Sequence, residues 1–172
     1  MKKNIDVLYD EKTIQKRVKE IADRIECEFQ GKPLTVIGVL KGSFIFMADL
    51  VRNISTPLTC DFIRVASYEK DKSTGTVRLE FDLTQPIAGK DVLLVEDIVD
   101  TGVTLKYLLE LLKAKNPKSL KVATLLHKET GNGNKNLVDY VGFEVPDKYV
   151  IGYGLDSEGL YRSLPYIGVM KT

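Results

Sequence analysis

The sequence predicts an α/β fold built on a doubly wound, mostly parallel sheet. Apolar strand segments alternate with amphipathic helical segments through the middle of the chain, and this alternation is typical of parallel sheets. The strand segments are continuous apolar runs rather than period-two patterns, as expected for strands covered on both faces. With 172 residues and 44% hydrophobic content, the chain can bury a full core without disulfides. We therefore expect a single domain over residues 1–172.

The first predicted element is a helix from Glu11 to about Phe29. Asp10 is placed to cap its first turn. The apolar residues of this helix recur every three or four positions, which puts them on one face: Ile14, Val18, Ile21, Ile25 and Phe29. A Gly-Lys-Pro sequence at 31–33 ends the helix.

The rest of the chain continues the alternation of strands and helices. Strands are predicted at 34–40, 58–66, 76–83, 91–95, 120–126, 149–153 and 166–170. A second helix is predicted at 44–53, and a third contains Leu105 to Leu112 and ends at Asn116-Pro117. The core should span about 34–150, and residues 1–30 and 150–172 should form a small hood over the edge of the sheet.

Composition and charge argue against several classes of protein. Lys and Arg number 25 and Asp and Glu 24, so the net charge of +1 gives no indication of nucleic-acid binding. The longest apolar run, residues 44–48, is too short to cross a membrane. No apolar signal segment follows the first lysines, and we expect a cytoplasmic protein. Cys27 and Cys60 are expected to be small core residues, and with the single His127 they are too few for a structural zinc site.

Residues 92–105 carry the chemistry. Four apolar residues predict a strand, and Glu96 and Asp97 follow at its carboxyl end, where open α/β sheets bind ligands. A short loop with Asp100, Thr101 and Gly102 then leads into a helix, whose free N–H groups attract phosphate. Carboxylates beside such a helix start can accept hydrogen bonds from sugar hydroxyls. The sequence therefore predicts a site for a ribose 5-phosphate group.

The same residues allow a simpler interpretation, in which Asp100 caps the helix and the other acids are solvated. However, four acids lie within ten residues with no base among them: Asp91, Glu96, Asp97 and Asp100. This concentration beside a phosphate site needs a cation, and hard oxygen ligands suit Mg²⁺. The competing phosphate-binding motifs G-x-x-x-x-G-K-[ST] and G-x-G-x-x-G are absent.

Residues 92–105 resemble the phosphoribosyl diphosphate (PRPP) binding motif of the type I phosphoribosyltransferases. The combination of this motif with five other segments is similar to the 6-oxopurine, or hypoxanthine-guanine, branch of that family: residues 40–42, 67–68, 126–128, 141–148 and 152–156. The resemblance covers about residues 35–169 and implies the type I phosphoribosyltransferase fold. It also implies transfer of the phosphoribosyl group of PRPP to N9 of hypoxanthine or guanine, which yields IMP or GMP and pyrophosphate.

The resemblance assigns roles to individual residues. Asp100 would be the general acid/base at N7 of the purine. The residues implied to bind PRPP and its phosphates are Lys41, Gly42, Glu96, Asp97, Asp100, Thr101, Gly102, Val103, Thr104 and Arg162. Those implied to bind the purine are Ile98, Lys128, Tyr149 and Val150. Glu96, Asp97 and Asp156 would bind Mg²⁺. Ser67 and Tyr68 would begin a lid over 67–75, and the peptide bond before Lys41 is often cis in the family.

Each assignment has a simpler alternative. Residues 40–42 could be a plain strand-to-helix turn, Lys128 a solvated lysine, Tyr149 a core aromatic and 67–75 a hairpin tip. His127, where relatives often carry an apolar residue, would be a packing or surface residue.

Two further functions also remain open at this point. The same fold could prefer xanthine, or it could serve a regulator that senses PRPP or nucleotides. The resemblance further implies a homodimer or homotetramer.

Overall fold

Nine strands and three α-helices make up the part of the chain that the computed structural model describes, residues 5–68, 76–128 and 134–170. The strands are β1 (Ile5–Tyr9), β2 (Leu34–Leu40), β3 (Leu58–Tyr68), β4 (Thr76–Phe81), β5 (Asp91–Val99), β6 (Ser119–Lys128), β7 (Tyr140–Val145), β8 (Val150–Ile151) and β9 (Ile167–Met170). The helices are α1 (Glu11–Phe29), α2 (Phe44–Arg52) and α3 (Val103–Lys113). A short 3₁₀ helix covers Asn134–Leu137.

Six of the strands form the central sheet, in the order β4, β3, β2, β5, β6, β7. All neighbours run parallel except β3 and β4, which are antiparallel. The predicted mostly parallel sheet is confirmed. Because β2, β5 and β6 are adjacent and parallel, their carboxyl ends meet at one edge, where such sheets bind ligands.

Helices cover both faces of this sheet. Alternate residues of β5 point to opposite sides: Leu93 and Val95 pack in a core with α1 and α2, whereas Val92 and Leu94 pack in a second core with α3. All four side chains are fully buried. This two-sided burial explains why the strands read as continuous apolar runs.

Helix α1 packs in the main core, and the predicted hood over the sheet edge stays a prediction. Its apolar stripe is fully buried apart from the nearly buried Phe29, and it packs in the same core as α2 and β5. Asp10 caps the helix as predicted, with its Oδ1 accepting a hydrogen bond from the Thr13 N–H at 2.8 Å.

A second, small sheet is formed by β1, β9 and β8, all paired antiparallel. Ile5 pairs with Met170, and Val150 pairs with Val169. The strand predicted over 149–153 is only two residues long. It stops there because residues 152–154 all have positive φ, which strand backbone does not allow.

Both cysteines are free and exposed, so their predicted place in the core is wrong. Cys27 lies off the buried stripe of α1, between Ile25 and Phe29. Cys60 lies near the start of β3, and its side chain is exposed. In the described residues no helix combines the length and the apolar character needed to cross a bilayer.

Candidate active site

Two adjoining cavities open at the carboxyl ends of β2, β5 and β6. The first has a volume of about 290 Å³ and is lined by residues 39–42, 65, 96–102, 104, 105, 156 and 162. The second has a volume of about 310 Å³ and is lined by residues 97, 98, 100, 128, 148–150, 155 and 156. Four residues line both cavities: Asp97, Ile98, Asp100 and Asp156. A ligand in one cavity would therefore touch a ligand in the other.

Strand β5 carries the two adjacent carboxylates into the first cavity. The strand continues to Val99, four residues further than predicted, so Glu96 and Asp97 lie within it. Glu96 is 7% exposed, and burial together with the neighbouring Asp97 raises the pKa of its carboxyl well above the ordinary value. Burial also raises the pKa of Asp97, although Arg162 acts in the opposite direction. A buried carboxylate beside a half-buried one favours a cation or hydroxyl donors as ligands.

The loop after β5 leaves the start of α3 open to an anion. Gly102 is the N-cap residue, with a φ of 79° that favours glycine, and it has no side chain to cap the helix. Asp100 therefore does not act as the N-cap. Thr101, Gly102 and Thr104 line the first cavity beside the free N–H groups. This arrangement is suited to a phosphate group.

The loop after β2 lies against β5 through glycine. The peptide bond between Leu40 and Lys41 is cis. A Cβ atom added to Gly42 would lie 1.5 Å from Oδ2 of Asp97, so only glycine fits. A Cβ atom added to Gly154 would lie 2.0 Å from the carbonyl oxygen of Gly42. These close contacts make 40–42 a wall of the first cavity rather than a free turn.

Arg162 also lines the first cavity. Its Nη1 donates to the carbonyl oxygen of Gly154 at 2.6 Å, and its Nη2 lies 2.7 Å from Oδ1 of Asp156. The guanidinium is held by both contacts and still lines the cavity. A fixed guanidinium is suited to binding phosphate oxygens.

Lys128 lies at the end of β6 in the second cavity. Its Nζ is 3.0 Å from Oδ2 of Asp100 and 3.0 Å from Oδ1 of Asp147. Burial alone would lower the pKa of Lys128, but the hydrogen bonds that it donates to these two carboxylates raise it overall. The side chain is only 12% exposed, so it is not a solvated lysine. It presents a charged donor beside Asp100.

The other predicted purine contacts surround the second cavity. Tyr149 is 61% exposed, which excludes the core aromatic alternative, and its hydroxyl donates to the carbonyl oxygen of Asp156 at 2.8 Å. Val150 is buried and Ile98 is half-buried. The hydrogen bond fixes Tyr149 at one side of the cavity, where its ring can stack on a flat ligand.

Comparison with known proteins places the chain in a family. A family profile described as a phosphoribosyl transferase domain matches residues 4–158. The chain belongs to the phosphoribosyl transferase family.

Named relatives agree with this assignment. The chain is 48% identical to a hypoxanthine-guanine phosphoribosyltransferase of Bacillus subtilis (strain 168), over 99% of this chain and 96% of that protein. It is 46% identical to one of Dictyostelium discoideum, over 96% of this chain and 95% of that protein. The resemblance found in the sequence is confirmed.

Solved structures agree on the fold. A crystal structure of a hypoxanthine-guanine phosphoribosyltransferase from Bacillus anthracis superimposes with a TM-score of 0.92 at 44% identity, covering 98% of this chain and all of the other. A Trypanosoma cruzi hypoxanthine phosphoribosyl transferase gives a TM-score of 0.92 at 41% identity, covering 99% of this chain and 93% of the other. The type I phosphoribosyltransferase fold predicted from the sequence is confirmed.

The donor set of this phosphoribosyl transferase fits Mg²⁺ only as an ion shared with a ligand. Within residues 5–68, 76–128 and 134–170, no three His, Cys, Asp or Glu side chains form a cluster that could hold a metal. Glu96 and Asp97 are adjacent, whereas Asp156 is paired with Arg162, so the three predicted ligands do not form one site. Mg²⁺ commonly takes one or two carboxylates and completes its shell with phosphates and water.

Several residues of the phosphoribosyl transferase site differ from their predicted positions or were not predicted. Val103 does not line either cavity, and its side chain is 48% exposed. Lys148 and Leu155 line the second cavity without having been predicted. Both lie in segments 141–148 and 152–156 that carry the resemblance, and that position was the available signal.

The predicted lid lies mostly outside the described residues. The backbone of Ser67 and Tyr68 ends β3 and pairs with Val77 and Thr76 of β4. Residues 69–75 are not described, so the lid stays a prediction.

Proposed function

We propose that this chain is a purine salvage enzyme that transfers the 5-phosphoribosyl group of PRPP to N9 of hypoxanthine or guanine. The observation that carries the proposal is the pair of cavities that share Asp97, Ile98, Asp100 and Asp156. One combines acids, a helix start and a guanidinium, and the other combines a lysine and an exposed aromatic ring. These surroundings suit a phosphorylated sugar and a flat 6-oxopurine that meet at the shared wall.

The reaction forms one bond and breaks another at C1 of the ribose. N9 of the base bonds to C1 while the bond from C1 to the pyrophosphate oxygen breaks, and pyrophosphate leaves with the electron pair of that bond. The base must lose one proton to become neutral in the product, and Asp100 is proposed to take it at N7. The products are IMP or GMP and pyrophosphate.

The phosphoribosyl half of the site is proposed to bind PRPP through both loops. Asp100 to Thr104, with the first N–H groups of α3, would hold the 5′-phosphate. Lys41, Gly42 and Arg162 would hold the pyrophosphate, and Glu96 and Asp97 the ribose hydroxyls. Mg²⁺ held with substrate oxygens, either by Glu96 and Asp97 or separately by Asp156, would supply positive charge to offset that of the leaving pyrophosphate.

The purine half of the site is proposed to select a 6-oxopurine. Lys128 has donors and no acceptor, so it favours the O6 acceptor of hypoxanthine and guanine over the amino group of adenine. Tyr149 and Ile98 would enclose the two faces of the base, with Val150 at its 2-position. We also propose a cytoplasmic homodimer or homotetramer. The exposed Phe44, which follows the 40–42 loop, supports association, and light scattering that gives a monomeric mass would refute it.

The first test offers the protein PRPP and Mg²⁺ with hypoxanthine, guanine, xanthine and adenine separately, and follows nucleotide formation by absorbance. We expect turnover with hypoxanthine and guanine and none with adenine. A preference for xanthine would move the specificity while leaving the mechanism in place. Binding of PRPP without turnover of any base would contradict the proposed enzymatic activity and indicate a regulator.

A further inference from the structure

Two buried polar side chains lie directly behind the loop that carries Asp100. His127, near the end of β6, is 1% exposed, and Asn134, at the start of the 3₁₀ helix, is 2% exposed. His127 Nε2 is 3.1 Å from Oδ1 of Asn134. Neither residue lines a cavity at the site, so neither touches a bound substrate directly.

Asn134 contacts the Asp100 loop at two points. Its Nδ2 donates a hydrogen bond to the backbone carbonyl oxygen of Asp100. Its Cβ atom would lie 3.0 Å from a Cβ atom added to Gly102, so the two residues are closely packed. Asn134 therefore fixes both the first residue of the loop and the N-cap residue of α3.

The Asp100 carbonyl determines the direction of every hydrogen bond in this chain of contacts. A carbonyl oxygen only accepts, so the amide nitrogen of Asn134 must face Asp100 and its amide oxygen must face His127. His127 Nε2 must then carry a proton and donate it. The other ring nitrogen, Nδ1, is 2.8 Å from Oε2 of Glu144 on β7. The ring is thus fixed from two sides and points one donor at Asn134.

We propose that His127 and Asn134 are positioning residues that hold the Asp100 loop in the shape that binds PRPP. The proposal rests on the proposed function for its kinetic consequences. His127 orients Asn134, and Asn134 holds the carbonyl of Asp100 and packs on Gly102. The predicted phosphate contacts at 100–104 and the Asp100 carboxylate both depend on this loop.

Two replacements of His127 separate its contacts. In His127→Gln the amide nitrogen can take the place of Nε2 and still donate to Asn134. In His127→Asn the amide nitrogen can take the place of Nδ1 and reach Glu144 instead. We expect His127→Gln to remain close to wild type. We expect His127→Asn to lose roughly tenfold to a hundredfold in kcat/KM for PRPP, since small displacements of a site cost this much. Equal behaviour of the two variants overturns the proposal.

Asn134→Ala should reproduce the loss seen in His127→Asn. KM for PRPP should rise while KM for hypoxanthine stays unchanged, whereas simple destabilisation would lower the active fraction and leave both unchanged. The matched control is Asn53→Ala, which removes the same kind of bond, from Asn53 Nδ2 to the carbonyl oxygen of Asp49 at 2.9 Å, at the end of α2. The control should keep both KM values. A rise in KM for PRPP in the control equal to that in Asn134→Ala overturns the proposal.

A spectroscopic measurement tests the contacts without any activity. The chain has a single histidine, so imidazole ¹⁵N signals of the untagged protein belong to His127. We expect a proton on Nε2 in the wild-type protein and a shifted Nε2 signal in Asn134→Ala. An unprotonated Nε2 overturns the proposal. Failure of the wild type to convert any base would instead contradict the proposed function, and the Nε2 result would stand independently.

Discussion

The two loops that form the phosphoribosyl cavity are held in different ways. The loop after β2 is held by close backbone packing, with Gly42 against Asp97 and Gly154 against the Gly42 carbonyl. The loop after β5 is held by polar side chains, with Lys128 on the carboxylate of Asp100 and Asn134 on its carbonyl. The loop after β2, the packed loop, should therefore lose its shape when an atom is added. The loop after β5, the polar loop, should lose its shape when a hydrogen-bonding group is removed.

The largest effect is expected from Asp100→Ala in the polar loop. The change removes the proposed proton acceptor, so kcat should fall by roughly 10²- to 10⁴-fold with a modest change in PRPP affinity. Steady-state kinetics with hypoxanthine and titration of PRPP by calorimetry measure the two effects. Asp147→Ala, which removes the other carboxylate bonded to Lys128, should cause a much smaller loss. Unchanged turnover in Asp100→Ala would contradict the assignment of this residue.

Gly42→Ala tests the packed loop. The added methyl group would overlap the Asp97 carboxylate, and the displaced loop should lower kcat/KM by roughly a hundredfold. Gly42 has no positive φ, so the effect is steric. The control is Gly89→Ala, where φ is 70° and no atom lies within 4 Å of the added Cβ. That change should cost about 1–2 kcal/mol of stability and no activity. Comparable activity of Gly42→Ala and wild type would show that the loop tolerates displacement.

Lys128→Gln changes the polar loop and the purine cavity together. Loss of a charged hydrogen bond should lower kcat/KM for hypoxanthine by roughly tenfold to a hundredfold. An amide can also accept a hydrogen bond, so discrimination against adenine should weaken. Lys118→Gln is the control, since Lys118 pairs with Asp91 at 3.1 Å away from both cavities. If the variant keeps the full preference for hypoxanthine over adenine, Lys128 does not select the base.

The smallest effect is expected on the free energy of unfolding. It concerns Asp49, which forms a second contact between the segment that contains the packed loop and the segment that contains Gly154. Asp49 of α2 accepts hydrogen bonds from Tyr153 and from Gln15, the latter at 2.7 Å. Tyr153 directly precedes Gly154, so this contact and the one between Gly154 and Gly42 join the same two segments. Burial alone would raise the pKa of Asp49, but the hydrogen bonds from Tyr153, Gln15 and Arg52 lower it overall. Asp49→Asn should therefore cost about 1–3 kcal/mol at pH 7.

The cost of Asp49→Asn should depend on pH in one direction. A carboxyl whose pKa is lowered by folding stabilises the protein above its unfolded pKa of about 3.9, and this stability is lost as the pH falls through the folded value. Denaturant midpoints of wild type and variant should therefore converge below about pH 4. Asp23→Asn, in an exposed pair with Lys19, should change stability by about 0–1 kcal/mol. A difference that grows on acidification would refute this account of Asp49.

The sheet and the main motif could be predicted because their signals are local. Uninterrupted apolar runs and helical spacing predicted five of the six strands of the central sheet and all three helices, but the edge strand β7 was not predicted. The partners of α1 could not be predicted, because a helical stripe indicates which face of a helix is buried and not which element covers it. The strand predicted at 149–153 was too long, because the positive φ of Tyr153, a non-glycine residue, cannot be recognised in the sequence.

From the residues alone, the candidate site was predicted only within residues 92–105, and its members elsewhere in the chain were predicted from the family resemblance. Glu96, Asp97 and Asp100 lie close together in the sequence, so a local sequence pattern was enough to identify them. The contacts of Gly154 with Gly42, and of Asn134 with Asp100, join residues far apart in sequence, and only the fold brings them together. His127 is buried between β7 and the 3₁₀ helix, so the surface alternative is wrong. Nothing in the sequence around His127 indicates that β7 and the 3₁₀ helix enclose it.

The pairing of β1 with β9 has a consequence for the order in which the protein becomes active. Ile5 faces Met170 across this pair, and β9 also pairs with β8, which directly precedes the turn that carries Gly154. Contacts between residues so far apart in sequence form late in folding. During synthesis β8 can be fixed in the small sheet only after β9 has left the ribosome, and β8 leads into the segment that carries Asp156 and Arg162. A nascent chain should therefore be folded before it can bind its substrates.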